Sequence, residues 1–153
     1  LKNYVRGSIV FVDSHCHLDR LDKSGPDLDA VVNDALAAKV EHMLCVAVSV
    51  KEFAQMKAKV SDYSCVSMSC GVHPLHNEDV CDYSSLLSHC AQAEVVAVGE
   101  TGLDYFYSKD TAEVQMLSFI DHIKVANEVN KPLIIHTRSA QNDTLNALKE
   151  HYD

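Results

Sequence analysis

Long apolar runs and low-complexity linkers are missing from this 153-residue sequence, and we expect no secretory leader. No apolar run is long enough to cross a bilayer. Residues 1–8 carry Lys2 and Arg6 ahead of a short apolar strand, but they include no extended apolar region and no cleavage-like site. Since no Gly/Ser-rich linker divides the chain either, we expect a single cytoplasmic domain over residues 1–153 that does not bind membranes.

Basic residues are also scarce, with 13 Lys and Arg against 22 Asp and Glu and a net charge of -9. This excess of negative charge argues against a broad electrostatic grip on nucleic acid, because phosphate binding normally rests on clustered Lys and Arg. It does not exclude phosphodiester substrates, since bound divalent cations would add positive charge locally.

The sequence contains no Cys-x-x-Cys pair, which argues against a structural zinc knuckle. Five of the six cysteines lie in or beside apolar segments, as expected of reduced core thiols: Cys45, Cys65, Cys70, Cys81 and Cys90. Cys16 stands between His15 and His17, but in an extended strand it points to the face opposite both of them. The pattern therefore favours a structural Cys16 over a metal ligand.

What the sequence does contain is a regular alternation of apolar strands with amphipathic helices. Strand patterns cover about 9–14, 42–49, 63–72, 94–99 and 132–136, and helical patterns cover about 27–39, 51–60, 82–91, 111–129 and 140–151. Near-continuous apolar strands with a helix between each pair predict a right-handed, parallel α/β sheet, either open or curling into a (β/α) barrel.

The fourth predicted helix has recognisable ends and one apolar face. Asp110 followed by Glu113 resembles a capping box, and Asn130 before Pro132 suits a left-handed C-terminal cap. The residues predicted to share the apolar face are Val114, Leu117, Ile120, Ile123, Ala126 and Val129.

Chemically active side chains follow the carboxyl ends of four predicted strands. They are His15 and His17, then His73, Glu100 and His136. Ligands from many strand ends form the catalytic rim of a barrel, whereas an open sheet gathers its ligands where the strand order reverses, so this placement favours the barrel. Imidazole and carboxylate donors at such a rim suit a divalent cation that activates water.

Each of these residues also has a plainer interpretation. A His-x-His pair is close to chance in a chain with nine histidines, although residues two apart on a strand do point the same way. Glu100 could cap a following helix, and His136 could be a hydrogen-bonded rim residue. His73 could be a loop residue or a substrate contact, and Arg138 could offer a two-donor fork to a phosphate or form a surface salt bridge. The aromatic residues at 105–107 could line a cleft or pack over the barrel mouth. We predict structural or solvated roles for four other histidines: His42, His89, His122 and His151.

Four blocks of the sequence resemble the TatD family of metal-dependent hydrolases. They are Asp-Ser-His-Cys-His-Leu-Asp at 13–19, Gly-Val-His-Pro at 71–74, Val-Gly-Glu-Thr-Gly-Leu-Asp-Tyr at 98–105 and Lys-Pro-Leu-Ile-Ile-His-Thr-Arg at 131–138. The resemblance implies a TIM barrel with one or two metal ions. Magnesium or manganese would be the cofactor, as in the family's deoxyribonucleases, several of which are 3'-5' exonucleases, and zinc would be the other candidate.

Carried over residue by residue, the resemblance implies that His15 and His17 bind the first metal ion and that His136 binds the second. Glu100 would bridge both ions and act as the catalytic carboxylate. His73 and Arg138 would face the scissile phosphate and bind the substrate.

The sequence pattern predicts about five βα units, whereas a TIM (β/α)8 barrel has eight. A further histidine and an aspartate of the family pattern have no counterpart here, so the resemblance implies an N-terminal part of the barrel. We expect a curved sheet whose first and fifth strands do not pair, in a chain able to self-associate through its edges.

For the intact enzyme we expect metal-activated water to cleave DNA, as single strands or at ends, without an obligatory protein partner. Two alternatives stay open: hydrolysis of a small amide or ester, and an inactive fragment that assembles only with a partner.

Overall fold

The computed structural model describes residues 9–21 and 24–153, so the predicted lack of a leader at residues 1–8 lies outside the described part. Within it, five strands alternate with five α-helices, as the sequence predicts. The strands are β1 (Phe11–Cys16), β2 (Val40–Cys45), β3 (Val66–Cys70), β4 (Val95–Asp104) and β5 (Leu133–Arg138). The helices are α1 (Leu28–Ala37), α2 (Phe53–Val60), α3 (Tyr83–Cys90), α4 (Ala112–Val129) and α5 (Gln141–His151).

Every helix lies within two residues of its predicted bounds. Two of the starts are set by aspartate caps, because a side-chain oxygen can accept a hydrogen bond from an N–H group that the first turn leaves free. The Asp27 carboxylate accepts from Ala30 N–H at 2.8 Å at the start of α1. The Asp82 carboxylate accepts from Ser85 N–H at 2.9 Å at the start of α3.

The five strands form one parallel sheet in the order β1-β2-β3-β4-β5, and the sheet curves as half of a barrel. The two edge strands, β1 and β5, do not pair with each other, which confirms the predicted arrangement. At the β1 edge the apolar side chains of residues 9–12 are exposed. The self-association predicted from such edges stays a prediction.

The predicted end of β4 at residue 99 is wrong, because the strand continues to Asp104. Gly99 and Gly102 both adopt positive φ angles, 131° and 133°, within the strand. The extension pairs with β5, with Gly102 beside His136 and Asp104 beside Arg138. The predicted β2 and β3 were too long at their carboxyl ends, since the chain leaves the sheet after Cys45 and after Cys70.

The capping box predicted for α4 is wrong. Asp110 lies in a 3-10 turn (Lys109–Thr111), and the first residue before the helix, Thr111, makes no capping bond with its side chain. The Asp110 carboxylate instead accepts a hydrogen bond from the Ser108 hydroxyl at 3.4 Å. The predicted left-handed cap at Asn130 is confirmed, with φ 52° and ψ 51°.

The apolar face predicted for α4 is also partly wrong, since Val114 and Leu117 are 43% and 60% exposed. Three polar residues are buried on this helix instead, Gln115, Ser118 and His122. Gln115 bonds the backbone of Asp104 at the end of β4, and His122 bonds the backbone of Val72 in the loop after β3. Polar groups can be buried when they are hydrogen-bonded, which periodicity of apolar residues cannot reveal.

Two apolar clusters hold the helices to the sheet. The larger one is built around Phe53 and Met56 of α2 and Leu86 of α3, which pack on buried residues of β2 to β4. The smaller one joins Leu103 of β4 to Phe119 and Ile123 of α4 and to α5. Large buried side chains of this kind contribute about 1.5–3 kcal/mol each to folding. The clusters therefore fix the strand ends from which the candidate site is built.

The six cysteines are all free, as predicted, and Cys45, Cys70 and Cys90 are buried. Cys16 turns its thiol away from the neighbouring histidines and donates to the Leu44 carbonyl at 3.3 Å. Burial raises the pKa of Cys16 to about 12, so the thiol keeps its proton at neutral pH. None of the helices in residues 9–21 and 24–153 has the length and apolarity that a membrane span requires.

His122 has the structural role predicted for it. Its ring is 2% exposed, its Nδ1–H donates to the Ser118 carbonyl at 2.7 Å, and its Nε2 accepts from Val72 N–H at 2.9 Å. Burial lowers the pKa of His122 from 6.5 to about 4, although the bond to Ser118 acts in the opposite direction. The folded protein therefore holds this ring neutral.

We expect this buried ring to make the protein less stable in mild acid. Between pH 6.5 and 4 the unfolded chain binds a proton at His122 that the folded chain does not, so stability falls as the pH drops through this window, by about 3 kcal/mol in total. His122→Gln cannot titrate but can still accept from Val72. The melting temperature of the full-length wild type should therefore drop relative to that of the variant between pH 7 and 4.5. A difference that stays constant over this range would contradict the prediction.

Candidate metal centre

The first pair of predicted ligands lies where β1 ends. His15 is still within the strand and His17 directly follows it, with ring centroids 5.2 Å apart. The Nδ1–H of His17 donates to the Val46 carbonyl at 2.8 Å, so its Nε2 is the atom left for a ligand. The Nε2 of His15 lies 3.3 Å from Glu100 Oε2. The structure thus brings three predicted site residues from two strands together.

Glu100 is placed by close packing of the backbone around β4. Its N–H donates to the Ala47 carbonyl at 2.9 Å in the loop after β2. The preceding Gly99 lies so near β5 that an added Cβ would be 2.5 Å from the Ile134 carbonyl oxygen. Only glycine fits that position, which lets the carboxylate of Glu100 reach the barrel rim with a side-chain exposure of 12%.

The second pair consists of His73, after β3, and His136 on β5. His136 Nδ1 lies 3.5 Å from Glu100 Oε1 and 3.2 Å from His73 Nε2. His73 Nδ1 accepts a hydrogen bond from Leu75 N–H at 3.1 Å. Burial lowers the pKa of His73 to about 4, opposed by the Glu100 carboxylate and reinforced by His136. A neutral ring whose Nδ1 accepts must carry its proton on Nε2, so His73 donates to His136.

Two groups of possible metal ligands therefore share one carboxylate. The first is His15, His17 and Glu100, and the second is His73, Glu100 and His136, with the donor atoms of each group within 4.8 Å of one another. Imidazole nitrogens and a carboxylate at this spacing fit a hard or borderline divalent cation. All four residues predicted as ligands belong to these groups, and their role as ligands stays a prediction.

A third group, His76, Glu78 and Asp79, lies in the loop after β3 and was not predicted. Asp79 in this group already pairs with Lys51 Nζ at 2.7 Å and accepts from the Ser49 hydroxyl at 2.6 Å. Lys51 holds the pKa of Asp79 below its ordinary value. The negative charge of the group is therefore already matched by a lysine.

Within residues 9–21 and 24–153, Arg138 does not form the surface salt bridge that is one of its two predicted roles. Its Cζ lies 4.3 Å from the ring centroid of Phe106 and 4.4 Å from that of Tyr107. Among the residues that the structure describes, no carboxylate lies within ion-pair distance of this guanidinium. Stacking on two rings holds the guanidinium in place and leaves its N–H groups available.

Comparison with known proteins decides the family. The TatD related DNase family model matches residues 12–153. This chain belongs to that family. It is 46% identical to the uncharacterized metal-dependent hydrolase YcfH of Escherichia coli K12, over 91% of the chain and 53% of YcfH. It is 33% identical to the protein named Deoxyribonuclease Tat-D of Schizosaccharomyces pombe, over 84% of the chain and 46% of that protein.

The solved structures include a relative of the same fold. The crystal structure of YjjV, a TatD homologue from Escherichia coli K12, superposes with a TM-score of 0.83 at 30% identity, over 92% of this chain and 56% of YjjV. The TIM-barrel type predicted from the sequence is therefore confirmed, with five parallel strands present as half of the barrel. The chain spans about half the length of the curated relatives it matches.

The sequence pattern assigned no role to Asp104, a further carboxylate that lies beside this candidate site. It ends β4, two positions past Gly102 and four past Glu100, so all three lie on one face of the strand. Burial raises its pKa, but hydrogen bonds from Tyr107 N–H, from His136 and from Phe106 N–H outweigh burial, and the pKa of Asp104 is lowered. The alternation from Glu100 could have revealed this carboxylate if β4 had been predicted at its full length.

Proposed function

We propose that the full-length protein hydrolyses phosphodiester bonds of DNA with one or two divalent cations, magnesium or manganese before zinc. The observation that carries this proposal is the pair of ligand groups that share Glu100. A shared carboxylate suits two cations held side by side, an arrangement that recurs in phosphatases, polymerases and nucleases. A relative that is 33% identical bears the name deoxyribonuclease, which supports DNA as the substrate.

In this proposal some residues of the site bind the cations and others bind the phosphate. His15, His17, Glu100 and His136 would hold the cations. A divalent cation bound there would activate a water molecule and neutralise charge that develops on the phosphoryl oxygens. His73 would serve as a hydrogen-bond donor to the scissile phosphate, because its Nε2 carries a proton while its Nδ1 accepts from the backbone.

Arg138 and its two aromatic neighbours would hold the DNA strand beside the cations. The guanidinium offers paired N–H donors that match a phosphate, which suits a protein with a net charge of -9 that lacks a broad basic surface. The rings of Phe106 and Tyr107 are exposed, and aromatic rings of this kind stack on unpaired bases. This combination favours single strands or frayed ends over the middle of a duplex.

The proposal is tested with the full-length protein, stripped of metal with EDTA and then given magnesium, manganese or zinc. Oligonucleotides labelled at the 5' or 3' end, single-stranded and duplex, would report cleavage and its polarity. We expect stepwise release of nucleotides only when a divalent cation is added. No cleavage of any DNA with any of these ions, together with turnover of small amide or ester substrates, would favour the amidohydrolase alternative.

Replacing Arg138 by lysine should weaken DNA binding and leave the chemical step almost unchanged. Lysine keeps the charge but loses the planar pair of donors and the stacking on Phe106 and Tyr107. Loss of one charge-assisted contact, about 1.5 kcal/mol, corresponds to a KM for DNA that rises roughly tenfold, with kcat within about twofold. Arg20→Lys is the matched control, because Arg20 pairs with Glu52 and no residue of either ligand group is its ion-pair partner. Equal KM values for the two variants would rule out the role proposed for Arg138.

A further inference from the structure

The carboxylate of Asp104 is buried at the inner end of the candidate metal centre. Its side chain is 1% exposed, and it belongs to neither group of ligand atoms. A charged group removed from water must be matched by hydrogen bonds or by an opposite charge, or it destabilises the fold by several kcal/mol. The partners of Asp104 therefore indicate what this carboxylate does.

Both oxygens of Asp104 have fixed partners. Oδ1 accepts from the backbone N–H groups of Phe106 at 3.0 Å and Tyr107 at 2.9 Å. Oδ2 lies 3.0 Å from Nε2 of His136. Gln115 holds the backbone of Asp104 from the other side, accepting from its N–H at 2.8 Å and donating to its carbonyl at 3.2 Å. Hydrogen bonds thus hold both oxygens of the carboxylate, and among the described residues its side-chain partner is His136.

These contacts determine which nitrogen of His136 carries the proton. A carboxylate oxygen accepts and does not donate, so the Nε2 that faces Asp104 must be the protonated nitrogen. The Nδ1 of His136 is then an acceptor, in agreement with the N–H that it receives from His73 Nε2 at 3.2 Å. Hydrogen bonds run in one direction from Leu75 N–H through His73 and His136 to Asp104. The unprotonated Nδ1 is the atom that lies 3.5 Å from Glu100.

We propose that Asp104 is a positioning residue that keeps the proton of His136 on Nε2. The Nδ1 lone pair, which accepts from His73 when no metal ion is bound, would then be released to a metal ion beside Glu100. A histidine that binds a metal commonly donates its other ring N–H to a carboxylate, which fixes the ring orientation and strengthens the ligand. The same carboxylate bonds the backbone of Phe106 and Tyr107, the two residues that hold Arg138. Asp104 therefore fixes the ring of His136 directly and the position of Arg138 through the backbone of the two aromatic residues. This inference rests on the metal centre of the proposed function.

Asp104→Asn tests the proposal because the substitution reverses one hydrogen bond without changing the size of the side chain. The N–H groups of Phe106 and Tyr107 require the oxygen of Asn, so its NH₂ group must face His136. Nε2 of His136 then has to accept, and its proton moves to Nδ1, the atom that faces Glu100. A comparable Asp-to-Asn change in the serine protease triad leaves the geometry intact and imposes the wrong tautomer.

The tautomer is read from ¹⁵N chemical shifts of the histidines in the metal-free, full-length protein. We expect Nε2–H at His136 in the wild type and Nδ1–H in Asp104→Asn. Affinity for manganese, measured by calorimetry, should fall about 10- to 100-fold in the variant. Asp143→Asn is the matched control: Asp143 accepts from the Tyr105 hydroxyl at 3.1 Å and does not touch His136, so tautomer and affinity should stay as in the wild type.

Two results would overturn the proposal. The first is Nδ1–H at His136 in the metal-free wild type, a measurement that needs no variant and holds even if Asp104→Asn fails to fold. The second is a folded Asp104→Asn protein with Nε2–H at His136 and manganese affinity within twofold of the wild type. Neither readout involves DNA. If the tautomers were as expected but no DNA were cleaved, DNA would be wrong as the substrate and the role proposed for Asp104 would still hold.

Discussion

Glu100→Gln should remove nearly all of the metal-dependent DNA hydrolysis that we propose for the full-length protein. The two oxygens of Glu100 face different histidines, Oε2 at 3.3 Å from His15 and Oε1 at 3.5 Å from His136, so one substitution removes a charge from both ligand groups. Loss of about 4 kcal/mol of stabilisation corresponds to a rate roughly 10³-fold lower. Single-turnover cleavage of a labelled oligonucleotide at saturating magnesium measures the rate. Titration with manganese should show weaker binding in parallel.

Glu94→Gln provides the matched control for this prediction. Glu94 directly precedes β4, at the end of the strand opposite Asp104, and it pairs with Lys57 on the surface. The change in charge and size is the same, but no candidate ligand is touched, so we expect cleavage within about twofold of the wild type. If Glu100→Gln cleaved DNA as fast as Glu94→Gln, the shared carboxylate would not take part in the reaction.

The ligand groups could be predicted from the sequence because parallel strands gather their carboxyl ends on one side of a sheet. His15, Glu100 and His136 are far apart in the chain, yet each follows an apolar run. This local pattern was enough to predict that they lie close together in the fold. The alternation of strand and helix was equally readable, because each helix must cover the face of a parallel sheet.

What could not be predicted depends on contacts between elements. The apolar pattern of β4 ends at residue 99, and only the close approach of β5 to Gly99 and Gly102 shows that the strand continues. Asp104 was therefore placed in a loop, and its bond to His136 was invisible. Gln115 and His122 look like surface residues of a helix, but both are buried and bond backbone N–H groups, Gln115 at the end of β4 and His122 in the loop after β3. Buried polar contacts of this kind are specified by tertiary structure and leave no periodic signal.

Gly102→Ala should destabilise the full-length protein more than any other single methyl group added to this strand. Gly102 has a φ of 133°, and an added Cβ would lie 2.0 Å from the carbonyl oxygen of His136. The backbone conformation alone costs about 1–3 kcal/mol for a residue with a side chain. Because the atom in the way belongs to the neighbouring strand and cannot rotate aside, we expect at least about 3 kcal/mol in total, or a melting temperature roughly 10 °C lower.

Asn130→Ala separates backbone strain from this collision between strands. Asn130 also has a positive φ, 52°, but it lies at the end of α4. Alanine there would have the same kind of backbone strain, but its Cβ would not collide with a neighbouring strand. We expect its melting temperature to fall by roughly 2–4 °C. Since the displaced carbonyl in Gly102→Ala belongs to His136, only that variant should also bind manganese more weakly. If both variants lost the same stability and bound manganese equally well, the tight contact between β4 and β5 would not be what holds His136 in place.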